Sequence, residues 1–175
     1  MNSWHDISKN RVTPEEFVAV IEIPKESKKK YELDKESGML ILDRILYTST
    51  HYPENYGFIP LTLAGDGDPL DVLVICEDKL NPLSLVKCHP VGAIKMLDNN
   101  EIDEKIVAVA DNDPLLGQCR DVSQLPSHQF IRLRQFFEVY IYLEGKQPEV
   151  GDILPVSEAK SIIADCLKNY QSKFG

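Results

Sequence analysis

The hydrophobic pattern of this chain changes its period once, near residue 110. Before that point, apolar and β-branched runs typical of strands recur at Val18–Ile23, Asp71–Cys76, Leu85–Met96 and Ile102–Val109. From residue 113 onward, apolar residues recur at helical spacing instead. Strands mainly within 18–109, followed by helices mainly within 113–174, predict an α+β fold. We expect a small closed or partly closed antiparallel barrel with flanking helices packed on its outside.

Three local patterns refine this outline. Residues 30–44 read as a β-hairpin, because two alternating segments flank the turn-forming Lys35-Glu36-Ser37-Gly38. Residues 52–57 form a dense aromatic and turn-forming segment. Thr13–Glu16 is typical of a short helical start in an N-terminal arm.

Two helices are predicted in the second part of the chain. The first follows Pro126-Ser127, and the second is expected to begin at a capping Ser157. Their apolar positions at helical spacing are Phe130, Leu133, Phe137, Tyr140 and Ile141 for the first, and Ile162, Ile163, Cys166, Leu167 and Tyr170 for the second.

Length and charge limit the function classes. The 175 residues suit one domain, spanning 1–175. The net charge of −9 argues against nucleic acid and anionic membranes as partners, since both attract basic surfaces. The longest apolar run, Val72–Cys76, is too short to span a membrane, and no signal peptide is evident. Four cysteines without CxxC spacing indicate reduced thiols and a cytoplasmic protein.

The sharpest local signal is the segment Asp66-Gly67-Asp68-Pro69-Leu70-Asp71. Its three carboxylates repel one another unless cations lie between them, and hard divalent cations prefer oxygen ligands. A solvated acidic turn remains the alternative for this segment alone. A helical calcium-binding loop is excluded, because Leu70 and Asp71 stand where that loop needs an oxygen ligand and a glycine.

Further polar residues stand out against the strand periodicity. Each could singly be a surface charge or a packing residue, and exposed ion pairs contribute little energy. They are Glu22, Lys30, Glu32, Arg44, Tyr52, Tyr56, Asp98, Asp103 and Lys105.

Considered together, these residues indicate one kind of chemistry. Carboxylates bind hard cations, lysine and arginine bind phosphate oxygens, and tyrosine hydroxyls can donate to either. A site that combines all three suits a highly charged phosphate substrate whose oxygens are shared by several Mg²⁺ ions. Without metal the same carboxylates would repel such a substrate, so metal dependence is a requirement of this interpretation.

The order of the motifs resembles family I soluble inorganic pyrophosphatases of bacterial type. The Asp-Gly-Asp-Pro-hydrophobic-Asp segment is the specific signature, and the other segments follow in family order from residue 18 to about 144. They are Ile21–Pro24, Lys30–Lys35, Asp43-Arg44, Tyr52–Gly57, Lys95–Asp98, Asp103–Lys105 and Phe136–Glu138. The resemblance implies a five-stranded barrel of oligonucleotide-binding (OB-fold) type, and Mg²⁺-dependent hydrolysis of pyrophosphate to two phosphates.

The resemblance also implies roles for individual residues. Asp68 would be the general base that accepts a proton from the attacking water. The implied metal ligands are Asp66, Asp71 and Asp103 for the metals that activate water, and Asp98, Glu22 and Glu32 for metals that arrive with the substrate. The implied phosphate-binding residues are Lys30, Arg44 and Tyr140; Tyr52 and Tyr56 line the site, and Lys105 tunes the metal-binding acids.

Two positions depart from the family pattern. Ile141 stands where bacterial members usually have a lysine, so one phosphate contact is lost or supplied by another base. Asn99 replaces a frequent acid, which is expected to weaken one accessory metal site. Bacterial relatives are typically hexamers, so the resemblance implies a homo-oligomer.

Two other classes of protein compete with the hydrolase. A non-catalytic OB-fold protein that binds single strands or partners would need a basic groove with exposed aromatics. An acidic structural or calcium-buffering protein would explain the carboxylates, but not Lys30, Arg44 and Lys105 beside them.

Overall fold

A computed structural model describes residues 1–175 of the chain. It contains eight strands and two α-helices, with short 3-10 turns at Lys9–Arg11, Val122–Gln124 and Tyr142–Glu144. The strands are β1 (Phe17–Ile23), β2 (Lys29–Leu33), β3 (Leu40–Ile45), β4 (Asn55–Ile59), β5 (Leu70–Ile75), β6 (Leu85–Asp98), β7 (Glu101–Ala110) and β8 (Glu149–Pro155). The helices are α1 (Ser127–Val139) and α2 (Val156–Phe174). None of the helices is both long and apolar enough to cross a membrane.

Five strands close into a barrel in the order β1-β4-β5-β7-β6, and β6 pairs back onto β1. Every pairing in this ring is antiparallel except β5–β7, which is parallel. The 14 residues of β6 make closure possible, because the start of this strand pairs with β1 and its later part pairs with both β7 and β8. The predicted α+β class and five-stranded barrel are confirmed.

Each helix covers a different part of the barrel surface. The apolar face of α2, including Ile163 and Cys166, packs into the larger core cluster with β1 and β5. Leu133, Phe136 and Phe137 of α1 pack into a second cluster with residues of β6 and β7. Strand β1 is buried along its whole length, so its single carboxylate, Glu22, is carried into the interior.

The β2–β3 hairpin lies outside the barrel sheet. It forms its own two-stranded sheet, with Lys30 paired to Arg44 and Leu33 paired to Leu40. This confirms the predicted hairpin over residues 30–44. The hairpin places the side chains of β2 beside the end of the barrel where β5 begins.

Two predictions about where a helix begins are wrong. Thr13–Glu16 is a tight turn, because the Thr13 hydroxyl bonds to both the N–H and the carbonyl of Glu16 while Val12 pairs with Phe17. Helix α2 begins at Val156, so Ser157 lies inside its first turn and makes no capping hydrogen bond.

Two strands were not predicted. Residues 55–59 form β4 although their surroundings look like a turn, because they pair with β1 on one side and β5 on the other. The buried Asn55 amide at the start of this strand is satisfied by Lys25 N–H, Leu80 N–H and the Asp78 carbonyl. Residues 149–155 form β8 within the part of the chain expected to be helical. This strand exists because it pairs with the exposed edge of β6, a tertiary contact that local periodicity does not reveal.

Candidate active site

An acidic cleft of about 590 Å³ opens between the β2–β3 hairpin and the barrel end that carries the Asp66–Asp71 segment. Its lining contains seven carboxylates and three lysines. Ten of the predicted site residues line this cleft: Glu22, Lys30, Glu32, Tyr56, Asp66, Asp68, Asp71, Asp103, Lys105 and Tyr140. Residues far apart in sequence therefore meet in one place, as the joint chemistry requires.

The Asp66–Asp71 segment is a compact turn that ends in β5. The left-handed backbone of Gly67 (φ +86°) lets Asp68 N–H donate to the Asp66 carboxylate at 2.9 Å. Leu70 N–H donates to the buried Thr62 hydroxyl at 2.9 Å, which fixes the start of the strand. Asp71 is thereby placed in β5, where the parallel register sets it opposite Lys105 of β7.

Lys105 is the buried cation of the site. Its ammonium group lies 2.9 Å from Asp71, 3.3 Å from Asp103 and 2.9 Å from the Tyr56 hydroxyl, and the residue is 3% exposed. Burial alone would lower the pKa of Lys105, but attraction from Asp71, Tyr56 and Asp103 outweighs it and raises the pKa. Lys105 therefore stays charged and holds two carboxylates together.

The carboxylates around Lys105 are electrostatically crowded. Burial raises the pKa of Asp66, and repulsion from Asp68, Asp71 and Asp103 adds to it. The pKa of Asp103 is raised by burial and by Asp71, although Lys105 opposes the shift. A further cation in the cleft would relieve this repulsion.

Glu22 is the most deeply buried of these acids. Its carboxylate accepts Leu33 N–H at 2.9 Å and so ties β1 to the end of β2. Burial, with repulsion from Asp71, raises the pKa of Glu22 to about 8. Near neutral pH the metal-free fold keeps this side chain largely protonated.

The carboxylate oxygens of the cleft fit a hard divalent cation. Asp66, Asp71 and Asp103 offer carboxylate oxygens, the ligands that Mg²⁺ prefers. No three acidic, histidine or cysteine side chains converge into a ready-made cage. Mg²⁺ usually keeps several waters and binds through one or two carboxylates together with substrate phosphates, and this open arrangement suits that mode.

The three tyrosines differ in their positions. Tyr56 reaches the cleft and is fixed by its hydrogen bond to Lys105. Tyr140 lines the cleft from the end of α1, and burial raises its pKa, so that its hydroxyl remains a donor. Tyr52, predicted to line the site, lies behind it instead, packed on Tyr56 and Phe136 with ring centroids 5.2 and 4.7 Å away. It is 1% exposed and supports Tyr56 by packing.

Arg44 and Asp98 lie outside the residues that line the cleft. Arg44 is paired with its neighbour Asp43 and, at 2.8 Å, with Glu144, so its guanidinium is already engaged. Asp98 is the last residue of β6. Its negative charge adds to the effect of burial in raising the pKa of Asp103 and Tyr140.

The two departures from the family pattern have structural explanations. Asn99 and Asn100 form the turn between β6 and β7 with φ values of 52° and 64°, a left-handed geometry that asparagine tolerates well. Ile141 is 3% exposed and packed in the interior, so its side chain does not reach the cleft.

Sequence reasoning missed the two other charged residues that line the cleft, Asp34 and Lys35. Both follow Glu32 in the turn of the β2–β3 hairpin, and Lys35 forms an ion pair with Asp68. The available signal was their position in a loop next to Lys30 and Glu32, but a lysine in a polar turn is usually a solvated surface residue.

Comparisons with known proteins agree with this geometry. The family model described as inorganic pyrophosphatase matches residues 19–171. A soluble inorganic pyrophosphatase 2 of Chlamydomonas reinhardtii is 45% identical over 171 residues, covering 98% of this chain and 89% of the relative. Inorganic pyrophosphatase structures from Helicobacter pylori and Thermus thermophilus superpose with TM-scores of 0.90 and 0.92, at 38% and 34% identity. Alignment covers 95% and 98% of this chain, and 99% of each structure.

The fold and the cleft thus define an enzyme class that hydrolyses a phosphoanhydride. The chain belongs to family I of the soluble inorganic pyrophosphatases, whose members hydrolyse pyrophosphate. The resemblance stated from the sequence motifs is confirmed.

The buried carboxyl of Glu22 generates a stability prediction. The pKa of Glu22 rises from 4.5 to about 8 on folding, so the metal-free wild type loses stability as the pH rises between these values. In chelator-containing buffer, Glu22→Gln should therefore be more stable than wild type at pH 9, by up to roughly 5 kcal/mol, with the difference shrinking toward pH 5. Urea unfolding at both pH values measures this difference.

The exposed Glu36 of the hairpin turn provides the matched control. Glu36→Gln removes the same charge and should leave the pH dependence of unfolding unchanged. A Glu22→Gln variant that is no more stable than wild type at pH 9 would contradict the assignment of Glu22 as a destabilising buried acid.

Proposed function

We propose that this chain hydrolyses pyrophosphate to two phosphates with Mg²⁺ in the acidic cleft. The observation that carries the proposal is the convergence of seven carboxylates and three lysines on one open cleft of a pyrophosphatase fold. Carboxylates without lysines would suit a metal buffer, and lysines without carboxylates would suit a simple anion site. The combination suits a phosphate substrate that is bound together with metal.

Asp66, Asp71 and Asp103 are the proposed primary metal ligands, and Asp98, Glu22 and Glu32 are proposed to serve metals that accompany the substrate. When bound, Mg²⁺ supplies charge neutralisation for the phosphates and lowers the pKa of water. Lys105 keeps Asp71 and Asp103 at a fixed separation by bonding to both. Lys105 and Tyr56 are therefore proposed to act on the reaction chiefly by fixing the positions of these acids.

Asp68 is the proposed general base. Its side chain is 51% exposed at the cleft, so a water molecule can reach its carboxylate. The carboxylate would accept a proton from that water as the oxygen attacks phosphorus, and the phosphoanhydride bond would then break to release phosphate. The backbone turn that joins Asp68 N–H to Asp66 holds the proposed base beside a proposed metal ligand.

Lys30 is the proposed phosphate-binding residue from β2. It lines the cleft and is 24% exposed, with Asp43 at 3.3 Å and Glu32 at 3.7 Å. Tyr140 lines the same cleft at the end of α1 and can donate its hydroxyl to a phosphate oxygen. Arg44 would need to exchange its ion pair with Glu144 for a phosphate oxygen before it could take its proposed role.

We also propose a cytoplasmic location and a homo-oligomer, with a hexamer as the expected state. All four cysteines are free thiols, which suits a reducing compartment. An isolated two-stranded sheet is marginally stable, and the β2–β3 hairpin exposes several large apolar side chains. They are Met39, Leu42, Ile45 and the adjacent Tyr47. A second copy of this chain packed on the hairpin would cover them.

Asp68→Asn tests the proposed function. With Mg²⁺ and pyrophosphate, the wild type should release phosphate, and a chelator should abolish the release. The variant should lose about 10²–10⁴-fold in kcat, because positioned proton transfer typically contributes this much. Phosphate release at saturating pyrophosphate is the measurement.

The control is Asp165→Asn on the exposed surface of α2, which removes the same charge away from the cleft. It should match wild type. A folded wild type without Mg²⁺-dependent release would leave the binding-protein or cation-binding alternatives in place. An active wild type with an equally active Asp68→Asn would remove only the general-base assignment.

Ile45→Asp tests the proposed assembly. Ile45 is 47% exposed on β3, and a carboxylate there would be buried without a partner if two copies pack on the hairpin. Analytical ultracentrifugation should show a hexamer for wild type and smaller species for the variant. Leu115→Asp, at a position 69% exposed in a loop away from the hairpin, should assemble as wild type does. A monomeric wild type, or an unaffected Ile45→Asp, would contradict the proposal.

A further inference from the structure

Lys35 is the lysine of the cleft with the most freedom to meet a ligand. Lys105 is fully engaged with Asp71, Asp103 and Tyr56, and Lys30 is three-quarters covered between two carboxylates. The Lys35 side chain is 52% exposed and has one ion-pair partner, Asp68. An exposed pair of this kind is weak, so breaking it costs little free energy.

The backbone that carries Lys35 is held in place on both sides. Asn2 donates its side-chain amide to the Lys35 carbonyl at 3.1 Å. The turn that follows is closed by Gly38 N–H, which donates to the Asp34 carbonyl at 2.8 Å. A lysine on a fixed backbone loses less conformational freedom on binding than a lysine on a mobile loop.

The Lys35 ammonium also lies against a fixed aromatic ring. It is 5.8 Å from the centroid of the Trp4 ring, which is 3% exposed and anchored by donation from its indole N–H to the Thr62 carbonyl at 2.8 Å. Thr62 in turn fixes the start of β5 through Leu70 N–H. The N-terminal arm thus holds Lys35 in a constant relation to the acidic segment.

We propose that Lys35 is a substrate-binding residue that exchanges its ion pair with Asp68 for a phosphate oxygen when pyrophosphate enters the cleft. The proposal rests on the proposed function, since it takes pyrophosphate as the ligand and Asp68 as the base. Phosphate oxygens carry more negative charge than one carboxylate and accept stronger hydrogen bonds from an ammonium group. The exchange therefore favours the phosphate once metal has neutralised the remaining acids.

The exchange has a consequence for Asp68. In the substrate-free enzyme the Asp68 carboxylate is engaged by Lys35, and entry of substrate releases it to accept a hydrogen bond from water. The same lysine would thus bind the substrate and free the Asp68 oxygen that it holds, so that both oxygens of the half-exposed carboxylate become available to water. This exchange links substrate binding to the proton-accepting step.

Lys35→Gln tests this role against a matched control. Lys29→Gln removes the same charge from an exposed lysine on β2 that does not line the cleft. With Mg²⁺ present, Lys35→Gln should weaken binding of the non-hydrolysable analogue methylenediphosphonate about 10-fold by calorimetry and raise KM for pyrophosphate by a similar factor. Lys29→Gln should stay within about twofold of wild type, and Lys35→Arg should recover most of the affinity.

The outcomes separate this proposal from the proposed function. A wild type that releases no phosphate from pyrophosphate overturns the proposed function. An active wild type in which Lys35→Gln binds the analogue as tightly as Lys29→Gln overturns only the assignment of Lys35. A lower kcat at unchanged analogue affinity would show that Lys35 acts solely through Asp68, and it would also contradict substrate binding. Circular dichroism of each variant verifies the fold.

Discussion

The contact between Lys105 and the two carboxylates of Asp71 and Asp103 is the interaction on which the rest of the site depends. A buried ammonium group requires compensating negative charge, and two adjacent, partly buried carboxylates require positive charge. The parallel pairing of β5 with β7 places them side by side, and Tyr56 from β4 completes the arrangement. Three strands of the barrel are therefore bound together by one charged group that also defines the floor of the cleft.

This contact explains why an acidic cleft can exist before metal arrives. Lys105 compensates part of the charge internally, while burial, together with the remaining repulsion, raises the pKa of Asp66 and Asp103. The β2–β3 hairpin adds Lys30 and Lys35 at the rim, where they are more exposed than Lys105. The cleft thus combines a buried, fully paired lysine with one that is partly covered and one that is half-exposed.

The sequence was informative where local pattern and chemistry agree. The change of period near residue 110 predicted the order of barrel and helices, and the dense carboxylates of Asp66–Asp71 identified the centre of the cleft. Strand β8 escaped prediction because its existence depends on the edge of β6. Lys35 escaped because its role depends on where the hairpin folds over the barrel. Tyr52 was expected to line the site, but it lies buried behind Tyr56. This burial depends on tertiary packing, which residue type alone does not reveal.

The most direct test of this account is the affinity of the substrate-free cleft for Mg²⁺. Calorimetric titration of Mg²⁺ into chelator-stripped wild type and Asp71→Asn compares the intact acid pair with a pair that lacks one charge. We expect Mg²⁺ to bind wild type and to bind the folded variant at least about 10-fold more weakly, because loss of a proposed carboxylate ligand removes both a charge and a coordinating oxygen. Equal affinity in the two proteins would contradict the claim that Lys105 and its acids form the floor of a metal-binding cleft.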